Sequence, residues 1–341
     1  MKEFGSDFHY VESIGEGKSL FDFFPIANLY ANGRHAIQAL IYQNKWKRIW
    51  MPEYFCYDII DSIKKTGIHI TFYKDNPLSS EVEEISRLQF EDGDVLFRMN
   101  YFGIREFRSS RDLKIPVIED HSHDLIGDWA LNSNADWCIA SLRKTLPIAE
   151  GGILWSPKRH TLPKLPNQSE FNVQLSERRW KAMQLKKDYL SGKITDKGLF
   201  RPIFIETESQ FENLYISPIT EDCISFLENF NIEGWLHQKQ LNWNILSEIQ
   251  SDKIYILERD SIKCNCFSFS ILFFDDFNRD VARQILIGNN IFPVILWDIP
   301  NDKIDSKDIS DKILSIACDG RYTIDDMQYL KKEIVSAIDY V

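Results

Sequence analysis

The chain has 341 residues, a formal net charge of −11 and a hydrophobic content of 44%. This length supports a large core and predicts two domains. The negative charge and the lack of a basic stripe argue against a nucleic-acid backbone as a partner. There is no apolar signal core at the start and no apolar stretch of about eighteen residues. We therefore expect a soluble chain without a membrane partner.

The six cysteines include no Cys-x-x-Cys pair and stand at positions 56, 138, 223, 264, 266 and 318. Cys264 and Cys266 are spaced too closely for an ordinary zinc knuckle and alternate as the residues of a strand do. We predict reduced, mostly buried thiols, no metal site and a cytoplasmic location.

The first thirty residues are aromatic and acidic, and glycines at positions 15 and 17 interrupt any regular element. The segment Asp22-Phe23-Phe24-Pro25 predicts an extended arm. In many dimeric enzymes such an arm covers the neighbouring subunit.

Asn32 and Gly33 precede an apolar periodicity over 36–41 that predicts a helix. A glycine at a helix start leaves backbone amides directed at a ligand, and the helix dipole favours an anion such as phosphate. A plain Asn-Gly turn that caps the helix accounts for these residues equally well. Arg34 and His35 either add charge to a phosphate site or are solvated.

Residues 50–72 predict a strand, a loop, a helix over 58–65 and a second strand over 68–72. The loop over 53–57 follows the carboxyl end of the first strand. Another strand is predicted over 94–99, and Asn100 follows it. Asn100 either hydrogen-bonds a cofactor or substrate, or is a turn residue.

Two further apolar runs, over 115–118 and 137–140, predict central strands, and each is followed by polar residues. Asp120 follows the first run, whereas Ser141 and Lys144 follow the second. Ligands of an open α/β sheet bind at the carboxyl ends of its strands. A carboxylate and an amine at one sheet edge suit pyridoxal phosphate (PLP), because the amine condenses with its aldehyde and the carboxylate keeps the pyridine nitrogen protonated. The alternatives are a helix N-cap for Asp120 and a surface lysine for Lys144.

The C-terminal part begins a new pattern at residue 216, so we place a domain boundary near residue 215. Before it, we predict a strand over 153–155, a polar and basic segment over 157–200, and a helix over 176–190. Beyond it, we predict helices over 223–230, 232–246, 280–287 and from 324 to the end, and apolar strands over 266–274, 291–297 and 313–317.

An ordered set of motifs resembles the fold-type I PLP enzymes, and most closely the DegT family of sugar aminotransferases. The motifs are Asn32-Gly33-Arg34-His35-Ala36-Ile37, Met51-Pro52-Glu53-Tyr54-Phe55-Cys56, Tyr101-Phe102-Gly103, Glu119-Asp120 with His123, Ser141-x-x-Lys144, Glu150-Gly151-Gly152, and Ile316-Ala317-Cys318-Asp319-Gly320-Arg321-Tyr322 with Asp326-Met327. The resemblance covers nearly the whole chain. It implies a large, mostly parallel-sheet PLP domain with an N-terminal arm over 1–215, and a small α/β domain over 216–341.

The resemblance also implies an activity, namely PLP-dependent transfer of an amino group from glutamate or glutamine to a nucleotide-linked keto sugar. Lys144 and Asp120 are then the catalytic residues. The phosphate is held by Gly33, Arg34 and Ser141, and a homodimer is expected.

Three positions depart from the pattern of the family. His123 stands where the family usually has a glutamine, and it could donate to the phenolic oxygen of PLP or have no role. The residue that stacks on the pyridine ring is Cys56 by register, unless Tyr54 or Tyr57 supplies the face. The family's Asn-x-Arg segment, which reaches the partner's phosphate site, has no clean match here, and Asn172 is the nearest candidate.

Three other interpretations stay open on the sequence. One is a PLP-dependent lyase or dehydratase on the same scaffold. Another is a non-catalytic protein that binds PLP or a sugar nucleotide and has a regulatory role. The third, a plain α/β protein without a cofactor, is disfavoured by the ordered set of motifs.

Overall fold

A computed structural model describes residues 2–13, 15–79, 81–211, 214–258 and 267–341 of the chain. The strands are β1 (Phe4–Gly5), β2 (Asn28–Tyr30), β3 (Arg48–Pro52), β4 (His69–Tyr73), β5 (Asp94–Met99), β6 (Val117–Asp120), β7 (Trp137–Ser141), β8 (Gly152–Trp155), β9 (Ile254–Ile256), β10 (Phe269–Phe273), β11 (Ile291–Phe292) and β12 (Ile313–Ile316). The helices are α1 (Leu20–Phe23), α2 (Gly33–Asn44), α3 (Tyr57–Lys64), α4 (Glu81–Arg87), α5 (Asp128–Asn132), α6 (Glu170–Leu190), α7 (Arg201–Phe211), α8 (Glu221–Asn229), α9 (Ile232–Ser247), α10 (Asp276–Gly288), α11 (Ile304–Lys312) and α12 (Ile324–Tyr340).

A seven-stranded sheet in the order β2-β8-β7-β6-β5-β3-β4 organises the first half of the chain. Strands β3 to β7 run parallel to one another, whereas β8 is antiparallel to both β7 and β2. This large, mostly parallel sheet confirms the predicted fold class. Because β6 and β7 are parallel neighbours with Asp120 opposite Ile139, their carboxyl ends lie side by side.

The central strands are apolar because both faces of the sheet are covered. All six residues of β5 are buried, and its side chains alternate between two cores. Val95, Phe97 and Met99 pack with α2 and α3 on one face, whereas Leu96 packs with α6, α8 and the start of α9 on the other. The two cores thus cover both faces of β5, β6 and β7.

The C-terminal part of the chain builds a second sheet in the order β12-β10-β9, with antiparallel pairing throughout. Helices α10 and α12 pack on it through residues such as Ala282, Met327 and Ile334. The N-terminal arm lies on this same lobe, since β1 pairs in parallel with β11 and the Gly5 amide donates to the Tyr322 hydroxyl at 2.8 Å. The first residues of the arm therefore lie on the C-terminal lobe, whereas the Tyr10 amide donates to the Met183 carbonyl of α6 at 3.0 Å.

Several predicted elements differ from the structure. The extended arm predicted at Asp22-Phe23-Phe24-Pro25 is wrong, because helix α1 covers Leu20–Phe23, and Leu20 and Phe24 are buried in the core on one face of the large sheet. The strand predicted over 291–297 is limited to β11 and one bridge between Val294 and Ser315, because Pro293 has no N–H for a ladder. Helix α10 begins four residues before the predicted start, since the Asp275 side chain caps it by accepting from the Asn278 amide at 2.7 Å. Helix α7 was not predicted. The strand predicted over 266–274 is β10, and Cys264 and Cys266 lie outside the described residues.

The described cysteines are free thiols, of which Cys138, Cys223 and Cys318 are buried and Cys56 is half-buried. None of the described helices is both long enough and apolar enough to cross a membrane.

Candidate active site

Asp120 and Lys144 lie at the ends of two neighbouring parallel strands. Asp120 is the last residue of β6 and is only 2% exposed, and its Oδ1 accepts from the Ser122 amide at 2.8 Å. Lys144 ends the short 3-10 turn Leu142–Lys144 that directly follows β7. The structure thus brings a buried carboxylate and a lysine to the same edge of the sheet.

His123 lies beside Lys144, with its Nε2 3.5 Å from the Lys144 Nζ. Its ring is fully buried and stacks on Phe267 at 4.4 Å and on Trp297 at 5.5 Å between ring centroids. Burial, followed by the charges of Lys144 and Lys239, holds the pKa of His123 well below its usual value. The imidazole is therefore neutral at physiological pH.

The other ring nitrogen of His123 has a defined partner. The backbone amide of Phe102 donates to Nδ1 at 3.2 Å. Phe102 has a φ of 51°, a left-handed conformation that side chains rarely adopt, within the 3-10 turn Tyr101–Gly103 that follows β5. A neutral imidazole that accepts at Nδ1 carries its proton on Nε2. A hydrogen-bond donor therefore faces the Lys144 amine.

The start of α2 and the end of β7 meet at a second point of the edge. A Cβ added at Gly33 would lie 3.5 Å from the Cβ of Ser141, so the first turn of α2 is next to the Ser141 side chain. Asn32 caps the helix by accepting from the His35 amide at 3.0 Å. Gly33 and half-buried Arg34 form its first turn. A helix N-terminus beside a hydroxyl is suited to bind a phosphate.

His35 adds no charge at the N-terminus of α2. Its ring is buried and hydrogen-bonds the Leu214 carbonyl at 3.1 Å and the Ser217 amide at 3.3 Å. Burial lowers the pKa of His35 to about 4, so the ring is neutral near pH 7. Of the two roles considered for His35, charge on a phosphate or solvation, the structure supports neither.

The loop between β3 and α3 holds the three candidates for the stacking position. Cys56 is half-buried at the N-cap of α3, and Tyr57 stacks on Phe72 at 5.9 Å. Tyr54 is fully buried and donates its hydroxyl hydrogen to the Leu296 carbonyl.

A second aromatic ring beside the lysine, besides that of His123, was not indicated by the sequence. The Lys144 Nζ lies 5.2 Å from the centroid of Trp297. Trp297 belongs to the C-terminal lobe, and no motif near it signalled this placement.

Asn100 is a buried polar residue at the same edge of the sheet. Its side chain is 1% exposed, and neither its amide oxygen nor its amide nitrogen has a hydrogen-bond partner among the described residues. Its backbone amide donates to the Asp120 carbonyl at 3.0 Å, which fixes it beside the carboxylate. Leaving such a group unpaired is costly, so a polar ligand is expected here. A carboxylate, an amine, an unpaired amide and a helix start suited to a phosphate together fit PLP.

Two residues of the basic segment over 157–200 have partners in the large domain. Lys158 is 3.1 Å from both carboxylate oxygens of Asp136. Asn172, the nearest candidate for the Asn-x-Arg segment, is fully buried and donates to Glu150 Oε1 and to the Pro218 carbonyl, each at 3.3 Å. In this chain Asn172 therefore supports the Glu150-Gly151-Gly152 turn.

A separate buried cluster on β6 and β7 consists of Glu119, His121 and Cys138, with ligand atoms within 4.8 Å of one another. The Glu119 carboxylate already accepts from Ser133 at 2.6 Å and lies 3.4 Å from the Arg98 guanidinium. We describe this cluster as a hydrogen-bonded network that holds the strands together.

The fold has well-defined relatives among solved structures, although no protein-family model and no curated protein match the sequence. PseC of Helicobacter pylori, an aminotransferase involved in the biosynthesis of pseudoaminic acid, is 12% identical, with 100% of each chain covered and a TM-score of 0.64. NtdA of Bacillus subtilis, solved with its cofactor PMP, is 11% identical, with a TM-score of 0.61 over 96% of this chain and 78% of NtdA. A DegT/DnrJ/EryC1/StrS aminotransferase of Brucella abortus is 13% identical, with a TM-score of 0.59 over 93% and 87% of the two chains. The chain therefore has the fold-type I architecture of the DegT-like aminotransferases.

Proposed function

We propose that this protein is a PLP-dependent aminotransferase that moves an amino group from glutamate or glutamine to a nucleotide-linked keto sugar. One observation carries the proposal, namely the position of Asp120 and Lys144 at adjacent strand ends of a fold-type I sheet. PseC and the Brucella abortus protein, which share this fold, are aminotransferases, so we favour transamination over elimination.

Three polar residues of the sheet edge would have a role in this reaction. PLP, when bound, supplies an aldehyde and an electron-withdrawing ring. The Lys144 amine would hold that aldehyde and, when free, would move the proton at the substrate α-carbon as general base and then acid. The Asp120 carboxylate would keep the ring nitrogen protonated, and the His123 Nε2–H would donate to the phenolic oxygen.

The phosphate is assigned to the start of α2. The backbone amides of Gly33 and Arg34 and the Ser141 hydroxyl would hold it and so fix the orientation of the ring. The stacking position stays assigned to Cys56, with Tyr54 and Tyr57 as alternatives.

The test is covalent trapping of PLP. Purified protein mixed with PLP should develop the absorbance of a lysine adduct, and borohydride should fix the label on a peptide that contains Lys144. Lys144→Ala should abolish the adduct, whereas Lys331→Ala, at a half-buried lysine paired with Glu248, should not. A label on another lysine, or none at all, would refute the assignment.

Asp120→Asn separates catalysis from binding. The variant should still bind PLP, but its turnover should fall by about a thousandfold, since loss of a buried charge pair costs ~3–5 kcal/mol. Turnover close to that of the unaltered protein would mean that Asp120 only caps the turn after β6.

We also propose a cytoplasmic homodimer, since twofold pairing is the commonest form of oligomer. Light scattering at working concentration should give twice the mass of one chain. An active monomer would exclude this assembly.

A further inference from the structure

A small cavity adjoins Lys144 on the side of the C-terminal lobe and has a volume of about 160 Å³. Its wall includes Lys239 of α9, which is only 2% exposed, and residues of and near β10, β11 and β12. The N-terminal arm contributes Gly5, Ser6 and Phe8 to the same wall. One side of the cavity is therefore closed by the arm.

A second pocket, of about 320 Å³, also adjoins the arm. Ser6 and Phe292 line both spaces, so the two spaces meet at the arm. Ile205, in the wall of the second pocket, is 63% exposed, which shows that this pocket opens to solvent. We call residues 3–8 the strap, because this segment lies between the solvent-open pocket and the cavity beside Lys144.

Ionic contacts hold the strap on α6. The Lys186 Nζ, on a side chain that is only 3% exposed, lies 2.8 Å from the Glu3 Oε1 and donates to the Asp7 carbonyl at 2.6 Å. Lys197 donates to the other Glu3 carboxylate oxygen at 3.0 Å. Removal of one partner from a buried ion pair leaves a charge without compensation, so these contacts resist opening.

Backbone contacts hold the strap on the C-terminal lobe. Strand β1 pairs with β11 through only two residues, Phe4 and Gly5, and the Gly5 amide donates to the Tyr322 hydroxyl at 2.8 Å. Gly5 has a φ of 80°, and a Cβ there would lie 2.5 Å from the Phe292 carbonyl oxygen, so the position requires glycine. A segment with so few backbone hydrogen bonds opens more readily than the core of a fold.

We propose that the strap is a gate, which detaches by local opening and admits small solutes from the solvent-open pocket to the cavity beside Lys144. The closed state predominates, because Phe4 is buried in the core of the C-terminal lobe and Lys186 pairs with Glu3. Opening breaks only the contacts of residues 3–8 and leaves the large sheet intact. The proposal concerns access to the cavity, so it does not depend on the proposed function.

Chemical labelling of Lys239 measures this opening without any cofactor. Formaldehyde with cyanoborohydride methylates accessible lysine amines, and peptide mass spectrometry of the full chain gives the rate at each lysine. Lys239 should react at least about tenfold more slowly than Lys193, because it reacts only from the open state. The Lys193 side chain is 71% exposed and provides the reference. Equal rates at the two lysines would overturn the proposal, because the cavity would then not be sealed.

Two substitutions loosen the strap at its two ends. Gly5→Ala places a Cβ against the Phe292 carbonyl on the C-terminal lobe, and Lys186→Met removes the ion pair on α6. Each should raise the methylation rate of Lys239 by about tenfold or more, because a strained or lost contact raises the population of the open state. An unchanged rate in both variants, with circular dichroism like that of the unaltered protein, would contradict the proposal.

Each substitution has a matched control in the same arm or helix. Gly15 has a φ of 69°, but nothing lies within 4 Å of a Cβ added there, so Gly15→Ala strains the backbone outside the strap. Lys187 pairs at 2.6 Å with Glu12, which follows the strap in the arm, so Lys187→Met removes an ion pair to α6 away from the cavity. Neither control should alter the methylation of Lys239, and acceleration equal to that of the strap variants would refute the gate.

The two proposals fail in different ways. If the strap variants expose Lys239 but no PLP adduct forms at Lys144, the aminotransferase proposal is wrong and the gate stands. If the adduct forms but the strap variants leave Lys239 protected, the gate is wrong and the aminotransferase proposal stands.

Discussion

At the scale of single residues, His123 illustrates how one backbone torsion determines the chemistry of a side chain. The left-handed φ of Phe102 belongs to the turn that directs its amide at the Nδ1 of His123. Such strained conformations persist only where the surrounding structure enforces them. The buried rings of Phe102 and Tyr101 supply that enforcement.

We predict that His123 is neutral and protonated at Nε2. Nitrogen-15 NMR of the full chain should show an unprotonated Nδ1 and a protonated Nε2, without titration between pH 5 and pH 8, because its pKa lies well below the usual value. His123→Gln should remove this set of signals and thereby assign it. A proton on Nδ1 would show that the Phe102 amide does not select the tautomer.

Glu150 leads to a second prediction, which concerns how the stability of the protein depends on pH. Burial raises the pKa of its carboxyl group from 4.5 to about 7. The folded chain therefore holds a proton that the unfolded chain has lost, so the free energy of unfolding falls as the pH rises from about 4.5 to about 7.

Glu150→Gln should remove this dependence and be more stable than the unaltered protein by up to about 3 kcal/mol at pH 8, with little difference at pH 4. Chemical denaturation at both pH values measures the change. Glu228→Gln, at an exposed carboxylate of α8, is the control. Equal pH profiles for the Glu150→Gln and unaltered proteins would contradict the prediction.

At the scale of elements, the junction of α2, β7 and β8 contains two glycines, Gly33 and Gly152, that have different structural roles. A Cβ at Gly33 would meet nothing closer than 3.5 Å, whereas a Cβ at Gly152 would lie 2.4 Å from the Asn32 backbone. Gly152 is thus required for close packing of β8 against the start of α2. Gly33 leaves room that the proposed phosphate would use.

We expect Gly33→Ala to fold with nearly unchanged thermal stability but to bind PLP about tenfold more weakly, since it crowds a charge-assisted hydrogen bond. Its affinity for pyridoxal, which has no phosphate, should not change. Gly152→Ala should instead lose about 1–3 kcal/mol of stability through overpacking. Equal losses of PLP and pyridoxal affinity in Gly33→Ala would place the phosphate elsewhere.

At the scale of the whole molecule, residues from both proposed domains pack into one hydrophobic core. Helix α8 and the start of α9 lie beyond residue 215, yet Cys223, Leu227, Phe230 and Trp235 belong to the core on one face of the large sheet. Further along α9, Trp243 and Leu246 belong to the core of the C-terminal lobe. We keep the division at residue 215 as a proposal about the chain and not about separate folding units.

This packing predicts that a fragment of residues 1–215 will not unfold cooperatively. Without α8 and α9, the face of the sheet that carries Leu96 would be exposed to water. This exposure costs about 25 cal/mol of stability per Å² of apolar area. The full chain should show one thermal transition by circular dichroism, and the fragment should show none. A sharp transition in the fragment would mean that the first lobe is independent.

The sequence alone determined the central strands and the polar residues at their carboxyl ends. The runs over 115–118 and 137–140 are apolar because β6 and β7 are buried on both faces, and parallel neighbours necessarily bring Asp120 and Lys144 to one edge. The periodic helices of the C-terminal lobe were predicted for a similar reason, since local spacing reports which face is buried.

Only the tertiary structure decided what surrounds Lys144. Trp297, Phe267 and Lys239 come from the C-terminal lobe, and the arm that closes the cavity comes from the N-terminus. Their local sequences carry no signal, because side chains so far apart along the chain meet only through the packing of one lobe on the other. The tautomer of His123 likewise depends on a backbone amide from a different strand end, and no pattern in the sequence records that contact.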